Sequence, residues 1–278
     1  MRGGISYIAH RHAEANNPYM ENYDPNRDSS YIMYLDANNL YGWAMSQPLP
    51  YSNFRWVEPK YFVDSTRQQT GYIYEVDLEY PDELHYLHND YPCAAQNLNV
   101  TDDMLSDYFK NIKNRFKIST GKVRKLIPTL YHKEKYVLHE ETLNLYLRLG
   151  LKLKKVHWVL QFSEKPFLKE YIDFNTKKRK EAKDSSQKRF FKLMNNSVFG
   201  KTMENIRKRC NVYLETDLDH FLHQTSKPTY ASCKIFSENL VAVNMKRERL
   251  KLDNPSYVGM CILDLSKAKM YDFHYNYI

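Results

Sequence analysis

Two stretches hold residue types from which phosphate and sugar chemistry can be built. "YLDANNLYG" (34–42) sets one carboxylate, Asp36, after a short apolar run and before a polar turn, with the aromatic Tyr41 five residues later. By themselves these residues also fit a strand that stops at an ordinary turn. "KLMNNSVFGK" (192–201) sets Lys192, Asn196 and Phe199 at i, i+4 and i+7. At ~100° per residue all three share one face of a helix. A cation, an amide and an aromatic in one row can grip a phosphate, a sugar and a base plane in turn. Gly200 costs that helix roughly 1 kcal/mol against Ala, which makes sense where something approaches the backbone closely. The alternative is a helix with a basic outer face, packed by Leu193, Met194 and Val198.

The remaining chain has to position these rows. "YIMYLD" (31–36) has strand composition with a turn-prone "ANN" after it. "GYIYEVDLEY" (71–80) alternates and predicts a second strand, stopped by Pro81. "HEETLNLYLRLG" (139–150) predicts a helix with Gly150 just past its end, and "LKLKKVHWVLQF" (151–162) a strand. Residues 165–208 have a helical pattern with a break at "DSSQ" (184–187). "NVYLET" (211–216) and "ASCKIF" (231–236) predict strands. Residues 257–278 follow Pro255 and predict a helix with Met260, Leu263, Met270 and Phe273 near one face. Strands interleaved with helices at irregular spacing give an α+β fold.

Charge narrows the partner. The chain carries +8 over 278 residues. Residues 176–209 alone carry +9, with twelve Lys and Arg against Glu181, Asp184 and Glu204. Such a concentration on one stretch favours contact with phosphates. The stretch has too weak an apolar stripe for a membrane-surface helix, and no apolar run reaches the ~20 residues of a membrane span. The first twenty residues lack the apolar core of a signal peptide. Cys93, Cys210, Cys233 and Cys261 are too dispersed for a zinc knuckle or a disulfide scaffold. These features predict an intracellular, reducing setting. His85 with His88, and His220 with His223, form H-x-x-H pairs without a third ligand at suitable spacing.

With both rows in view, the sequence resembles the protein-primed family B DNA polymerases of phages, linear plasmids and self-synthesising transposons. Their first motif, D-x-x-S-L-Y-P, is matched by Asp36-Ala37-Asn38-Asn39-Leu40-Tyr41-Gly42. Their second, K-x-x-x-N-S-x-Y-G, is matched by Lys192, Asn196, Ser197, Phe199 and Gly200. Arg2-Gly3-Gly4 fits the end of their Y-x-G-G signature, with Met1 at the Tyr position. The resemblance implies a palm plus helical fingers, two-metal nucleotidyl transfer from deoxynucleoside triphosphates to a primer 3′-hydroxyl, and Mg²⁺ as cofactor. It implies Asp36 as the catalytic metal ligand, assisted by the Ala37 carbonyl. It implies nucleotide contacts by Tyr41, Lys180, Lys192, Asn196 and Phe199. DNA contacts fall to Gly3, Gly4, Lys177, Lys178, Arg179, Ser197, Gly200 and Lys201. The implied partners are a primer–template and deoxynucleotides, joined by a terminal priming protein in protein-primed members.

The family's third motif, Y-x-D-T-D-S, is missing. "ETDLDHF" (215–221) is the nearest string, and a helix N-terminus capped by Thr216 or Asp217 explains its acids better. The resemblance thus implies a partial core: a lead-in (1–30), the first part of the palm (31–80), an insertion (81–175), fingers (176–209) and the palm's return (210–278), without exonuclease or thumb. A non-catalytic nucleic-acid-binding remnant of a mobile-element polymerase is the alternative.

Overall fold

In the computed structural model, which describes residues 2–10, 12–61, 69–119 and 124–277, regular structure begins with helix α1 (Leu40–Met45). It is followed by strand β1 (Leu49–Val57), β2 (Thr70–Glu79), β3 (Gln96–Leu98), helix α2 (Asp107–Phe116), β4 (Lys125–Ile127), β5 (Lys133–His139), α3 (Glu140–Arg148) and β6 (Lys152–Lys165). Then come α4 (Lys169–Glu181), α5 (Ser185–Thr202), β7 (Cys210–Glu215), α6 (Leu218–Thr225), β8 (Tyr230–Ser237), β9 (Leu240–Lys246) and α7 (Ser256–Tyr277). The chain divides into two units, residues 1–199 with 257–278, and residues 200–256.

The larger unit is built on β2. Alternate side chains along a strand share a face, so Tyr72, Tyr74, Val76 and Leu78 enter one core with Leu143, Tyr146 and Tyr271. Ile73, on the other face, joins a second core with Ala44, Met45, Phe162, Cys261, Ile262 and Leu265. β2 can serve both because it is internal, in the antiparallel order β1-β6-β2-β5. Helix α7 supplies residues to both cores, which is why its apolar positions go nearly all round. Its buried residues include Val258, Cys261, Ile262 and Leu265, whereas Phe273 is exposed. Of the expected stripe, Leu263 is buried and Met260 packs against the second core, so the packing face of α7 includes part of that stripe and extends beyond it.

One buried polar group inside α7 is fully accounted for. Asp264 Oδ2 accepts the His139 backbone N–H at 3.0 Å, and Oδ1 lies 3.3 Å from Lys267 Nζ. This ties the start of α3 to α7. The break expected near 184–187 occurs at residues 182–184, where Asp184 Oδ1 accepts the Gln187 N–H at 2.8 Å and starts α5.

The expected strand at 31–36 does not form. Tyr31, Ile32, Met33, Tyr34 and Leu35 are all exposed and lack regular secondary structure. Strand composition is not enough, because a strand exists only where a neighbour takes its backbone N–H and C=O groups. Among the described residues, no strand pairs with this segment; the four-stranded sheet draws on residues 49–57, 70–79, 133–139 and 152–165 instead.

The smaller unit is a three-stranded antiparallel sheet in the order β7-β9-β8. Val243 and Met245 of the central strand are buried. Asp217 caps α6 by accepting the His220 N–H at 2.9 Å, as expected for the acids of "ETDLDHF". No described helix is long and apolar enough to cross a membrane.

Candidate nucleotide and nucleic-acid site

The geometry of the first motif is set by its asparagine and glycine. Asn39 precedes α1 in the left-handed region, at φ 56°, a conformation its short amide side chain tolerates better than most. That side chain folds back over Gly42. A methyl group at Gly42 would lie 2.1 Å from Asn39 Nδ2, so a side chain there requires the exposed Asn39 amide to turn away. The turn presents Tyr41 to the second core, against which it packs half-buried.

Phe199 of α5 meets it there. The two rings stack with centroids 4.7 Å apart and planes inclined at 27°. Gly4 approaches from a third direction, since a methyl on it would sit 3.8 Å from the Tyr41 hydroxyl. The segment carrying Gly4 is pinned by Arg2. Its guanidinium lies 3.5 Å from the Tyr136 ring centroid and donates to the Val137 carbonyl at 2.8 Å. Lys267 Nζ in turn donates to the Arg2 carbonyl at 3.0 Å. Three sequence motifs, from residues 4, 41 and 199, thus converge on one aromatic contact.

Along α5, Lys192 and Asn196 are exposed two turns and one turn before Phe199 respectively, in the row anticipated from the spacing. Ser197 is exposed and donates to the Met194 carbonyl at 3.1 Å. Helices α4 and α5 are linked by Asn195 Nδ2 to Thr176 Oγ1 at 3.4 Å and by the Tyr171 hydroxyl to the Met194 carbonyl at 3.3 Å. Lys177, Arg179 and Lys180 are exposed on α4, while Lys178 pairs with Glu181 at 3.0 Å. Lys180 and Lys192 therefore stand on separate helices. The Cβ position of Gly200 is open space, so no described residue requires glycine there. Lys201 is held by Glu204 at 2.6 Å. Glu204 also binds Arg209, and these two cations pull its carboxyl down to about 2.

Asp36 and Ala37 stay on the exposed segment before α1. Gly3 is exposed beside Gly4, and Met1 lies outside the described residues. Of the histidine pairs, His88 is buried, with Nδ1 2.7 Å from the Tyr80 hydroxyl.

Two features escaped the sequence reading. Lys133 is buried, donating to the Thr129 carbonyl and hydroxyl at 2.8 Å, and burial lowers its ammonium to about 7. A cavity of about 410 Å³ is lined by Trp43, His139, Glu140, Arg148, Glu164 and Lys269 among others. There burial raises the Glu140 carboxyl to about 7, helped by Glu141 and Glu164. Neither left a local signal, since the burial of Lys133 and the lining of the cavity depend on distant elements, although Thr129 lies only four residues from Lys133.

Comparison with known proteins places these features in a family. The family model described as DNA polymerase type B, organellar and viral, matches residues 21–278. No curated protein matches the chain in sequence. Among solved structures, Phi29 DNA polymerase complexed with primer-template DNA and incoming nucleotide substrates is similar at 16% identity and a TM-score of 0.47, over 86% of this chain and 34% of that one. An orthorhombic crystal form of Phi29 DNA polymerase gives 16% identity and a TM-score of 0.45, over 85% and 35%. The chain spans about a third of the length of these structures. On the family match, which takes in both the Asp36 and the Lys192 motifs, the chain belongs to the organellar and viral type B DNA polymerases.

Proposed function

We propose that the chain serves as the palm and fingers of a template-directed DNA polymerase and binds a primer–template with a deoxynucleoside triphosphate. The observation that supports this most is the stacking of Tyr41 on Phe199 at 4.7 Å, beside the exposed row of Lys192 and Asn196. In this reading Lys192 clamps the triphosphate electrostatically, with Lys180 as a second phosphate contact. Asn196 and Phe199 face the nascent base pair. Tyr41 lies under the sugar, where its ring leaves no room for a 2′-hydroxyl, an element directed against the wrong substrate. Gly3, Gly4, Lys177, Lys178, Arg179, Ser197, Gly200 and Lys201 contact the DNA backbone. For Lys178 and Lys201 that means exchanging Glu181 and Glu204 for phosphate. Residues 31–80 and 210–278 act as parts of the palm, 176–209 as fingers and 81–175 as an insertion.

Polymerases of this family use Mg²⁺. The Asp36 carboxylate and the Ala37 carbonyl are oxygen donors of the kind Mg²⁺ takes. Yet among the described residues no three His, Cys, Asp or Glu side chains form a group that could hold a metal ion. This donor set does not fit a two-metal site, which needs carboxylates from more than one strand to clamp both reacting oxygens. The chemistry assigned to these residues is therefore binding and positioning.

The test is nucleotide binding by the 278-residue chain on a primer–template, with primer extension measured in parallel. The expected result is no extension, with deoxynucleotides bound in preference to ribonucleotides. Lys192→Gln should weaken triphosphate binding about tenfold, the worth of one charge-assisted hydrogen bond. Tyr41→Ala should narrow the sugar preference. The proposal fails if both variants bind both sugars as the parent does; preference-free binding by the parent leaves the remnant reading.

A further inference from the structure

The cavity of about 410 Å³ beside Trp43 and His139 is lined entirely from the larger unit and takes no part in the nucleotide reading. We propose that it binds a small amino alcohol, whose ammonium sits between Glu140 and Glu164 and whose hydroxyl accepts a hydrogen bond from His139 Nε2.

The first sign of a ligand is a buried donor without an acceptor. His139 is 3% exposed and lines the cavity. Its Nδ1 accepts the Glu141 N–H at 3.3 Å and so caps α3. Burial lowers the imidazolium to about 4, against the opposing pull of Asp264, so the ring is neutral at ordinary pH. A neutral ring that accepts at Nδ1 carries its hydrogen on Nε2. Among the described residues, that Nε2 has no partner. A buried N–H in this position calls for an oxygen acceptor.

The second sign is charge. Four acids line the cavity, Glu140, Glu141, Glu164 and Asp272, against two cations, Arg148 and Lys269. This is an acidic pocket in a chain of net charge +8. Asp272 is engaged by Asn276 at 2.8 Å, and Lys269 Nζ lies 5.6 Å from the Trp43 ring centroid. Among the described residues, neither cation is ion-paired with the three glutamates. Burial raises the carboxyls of Glu140 and Glu164, and Glu141 adds to both. Carboxyls that raise one another lack a cation between them. The two demands together select the ligand. An alkylamine brings the charge but no acceptor. An anion brings the acceptor but meets the acids. A primary ammonium with a hydroxyl on the next carbon brings both. Its carbons can lie against the buried Leu145 and Leu265, and the exposed Trp43 and Pro48 leave the cavity open to solvent. The volume is that of a small-molecule site.

The experiment is calorimetric titration of the full 278-residue chain at neutral pH with ethanolamine, propylamine and ethylene glycol. Propylamine replaces the hydroxyl by a methyl group, and ethylene glycol replaces the ammonium by a hydroxyl. Ethanolamine should bind. Propylamine should bind about fivefold more weakly, the worth of one hydrogen bond, and ethylene glycol at least about tenfold more weakly, the worth of a charge-assisted one. Glu140→Gln/Glu164→Gln keeps the shape of both side chains and should weaken ethanolamine at least about tenfold. His139→Asn keeps an oxygen that can cap α3 and should bind ethanolamine and propylamine alike. The comparison of probes on the parent chain does not depend on either variant folding. The proposal is overturned if the parent binds ethanolamine no better than ethylene glycol, which leaves a cavity filled by solvent only. It is also overturned if the parent binds propylamine as well as ethanolamine, or if the Gln variant binds ethanolamine as the parent does. None of these measurements uses nucleic acid or nucleotide, so their failure and that of the polymerase reading are separate results.

Discussion

The stack of Tyr41 on Phe199 joins the two polymerase motifs, and its energy can be isolated by a double-mutant cycle. The ring centroids are 4.7 Å apart with planes at 27°, near the close end of the range in which aromatic pairs add about 0.5–1.5 kcal/mol beyond their buried area. Both rings are half-buried, so each single change to Ala should cost less than the ~3–5 kcal/mol of a fully buried Phe→Ala change. A loss of roughly 2 kcal/mol each is expected. Tyr41→Ala/Phe199→Ala should then cost about 1 kcal/mol less than the sum of the singles, because the stack can be lost only once. Urea unfolding followed by tryptophan fluorescence is a suitable assay. The three tryptophans, Trp43, Trp56 and Trp158, all lie within residues 1–199, so the signal reports the unit that holds the stack. Phe199→Tyr keeps the ring and should keep the coupling with Tyr41→Ala. If the two single costs add to within ~0.3 kcal/mol, the rings do not touch in solution. The convergence of the two motifs would then be wrong.

Three further outcomes follow from buried or crowded groups. Burial holds the Lys133 ammonium at about 7, below its usual 10.5, so between those values the unfolded chain binds the extra proton and stability rises with pH. The parent should gain about 2 kcal/mol relative to Lys133→Met between roughly pH 7 and 9, read as the difference between paired urea melts. A constant difference would mean that Lys133 is solvated. Burial beside Glu141 and Glu164 raises Glu140 to about 7 from 4.5, so its contribution is complete below pH 4.5 and lost as pH rises through 7. Because the group is partly exposed and screened, the parent should lose only about 1–2 kcal/mol relative to Glu140→Gln across that window; parallel pH–stability curves would contradict this. Gly42→Ala puts a methyl 2.1 Å from Asn39 Nδ2 and should cost about 1 kcal/mol, the low end for overpacking, because the exposed Asn39 amide can turn away. Asn39→Gly in the same chain should recover most of the loss, and no recovery would place the crowding elsewhere.

The elements legible in the sequence are those whose signals are local. Tyr72, Tyr74, Val76 and Leu78 alternate within one strand, and Gly150 ends α3 with a φ of 100° that other residues adopt at a cost. Five strands gave no such signal, two of them, β3 and β4, being only three residues long. "LVAVNMK" (240–246) is the middle strand of its sheet, and its near-continuous apolar run hides the alternation of a half-exposed strand. "KEKYVLH" (133–139) begins with three charged residues, one of them buried, and Lys135 sits at φ 46°. "LPYSNFRWV" (49–57) carries Pro50 and two register shifts against β6. Regular alternation cannot survive such irregularities.

The candidate site divides along the same line. Spacing alone puts Lys192, Asn196 and Phe199 on one helical face, because helical geometry is local. The meeting of Phe199 with Tyr41, and the pinning of Gly4 by Arg2 on Tyr136, depend on contacts across more than a hundred residues, and no periodicity encodes those. Asp36 shows what happens when only the local signal is present. Five residues upstream of Tyr41, it can lie at most about 18 Å from that ring's Cα, since an extended chain spans ~3.6 Å per residue. Tyr41 is fixed by packing, whereas Asp36 is held only by this tether. Residues 31–35 expose five large apolar side chains in succession, and their backbone groups take no strand partner among the described residues. Sites carried by paired strands and helices are held more precisely than sites on loops. Packing therefore fixes Tyr41 and Phe199, whereas among the described residues no strand pairs with the segment that carries Asp36.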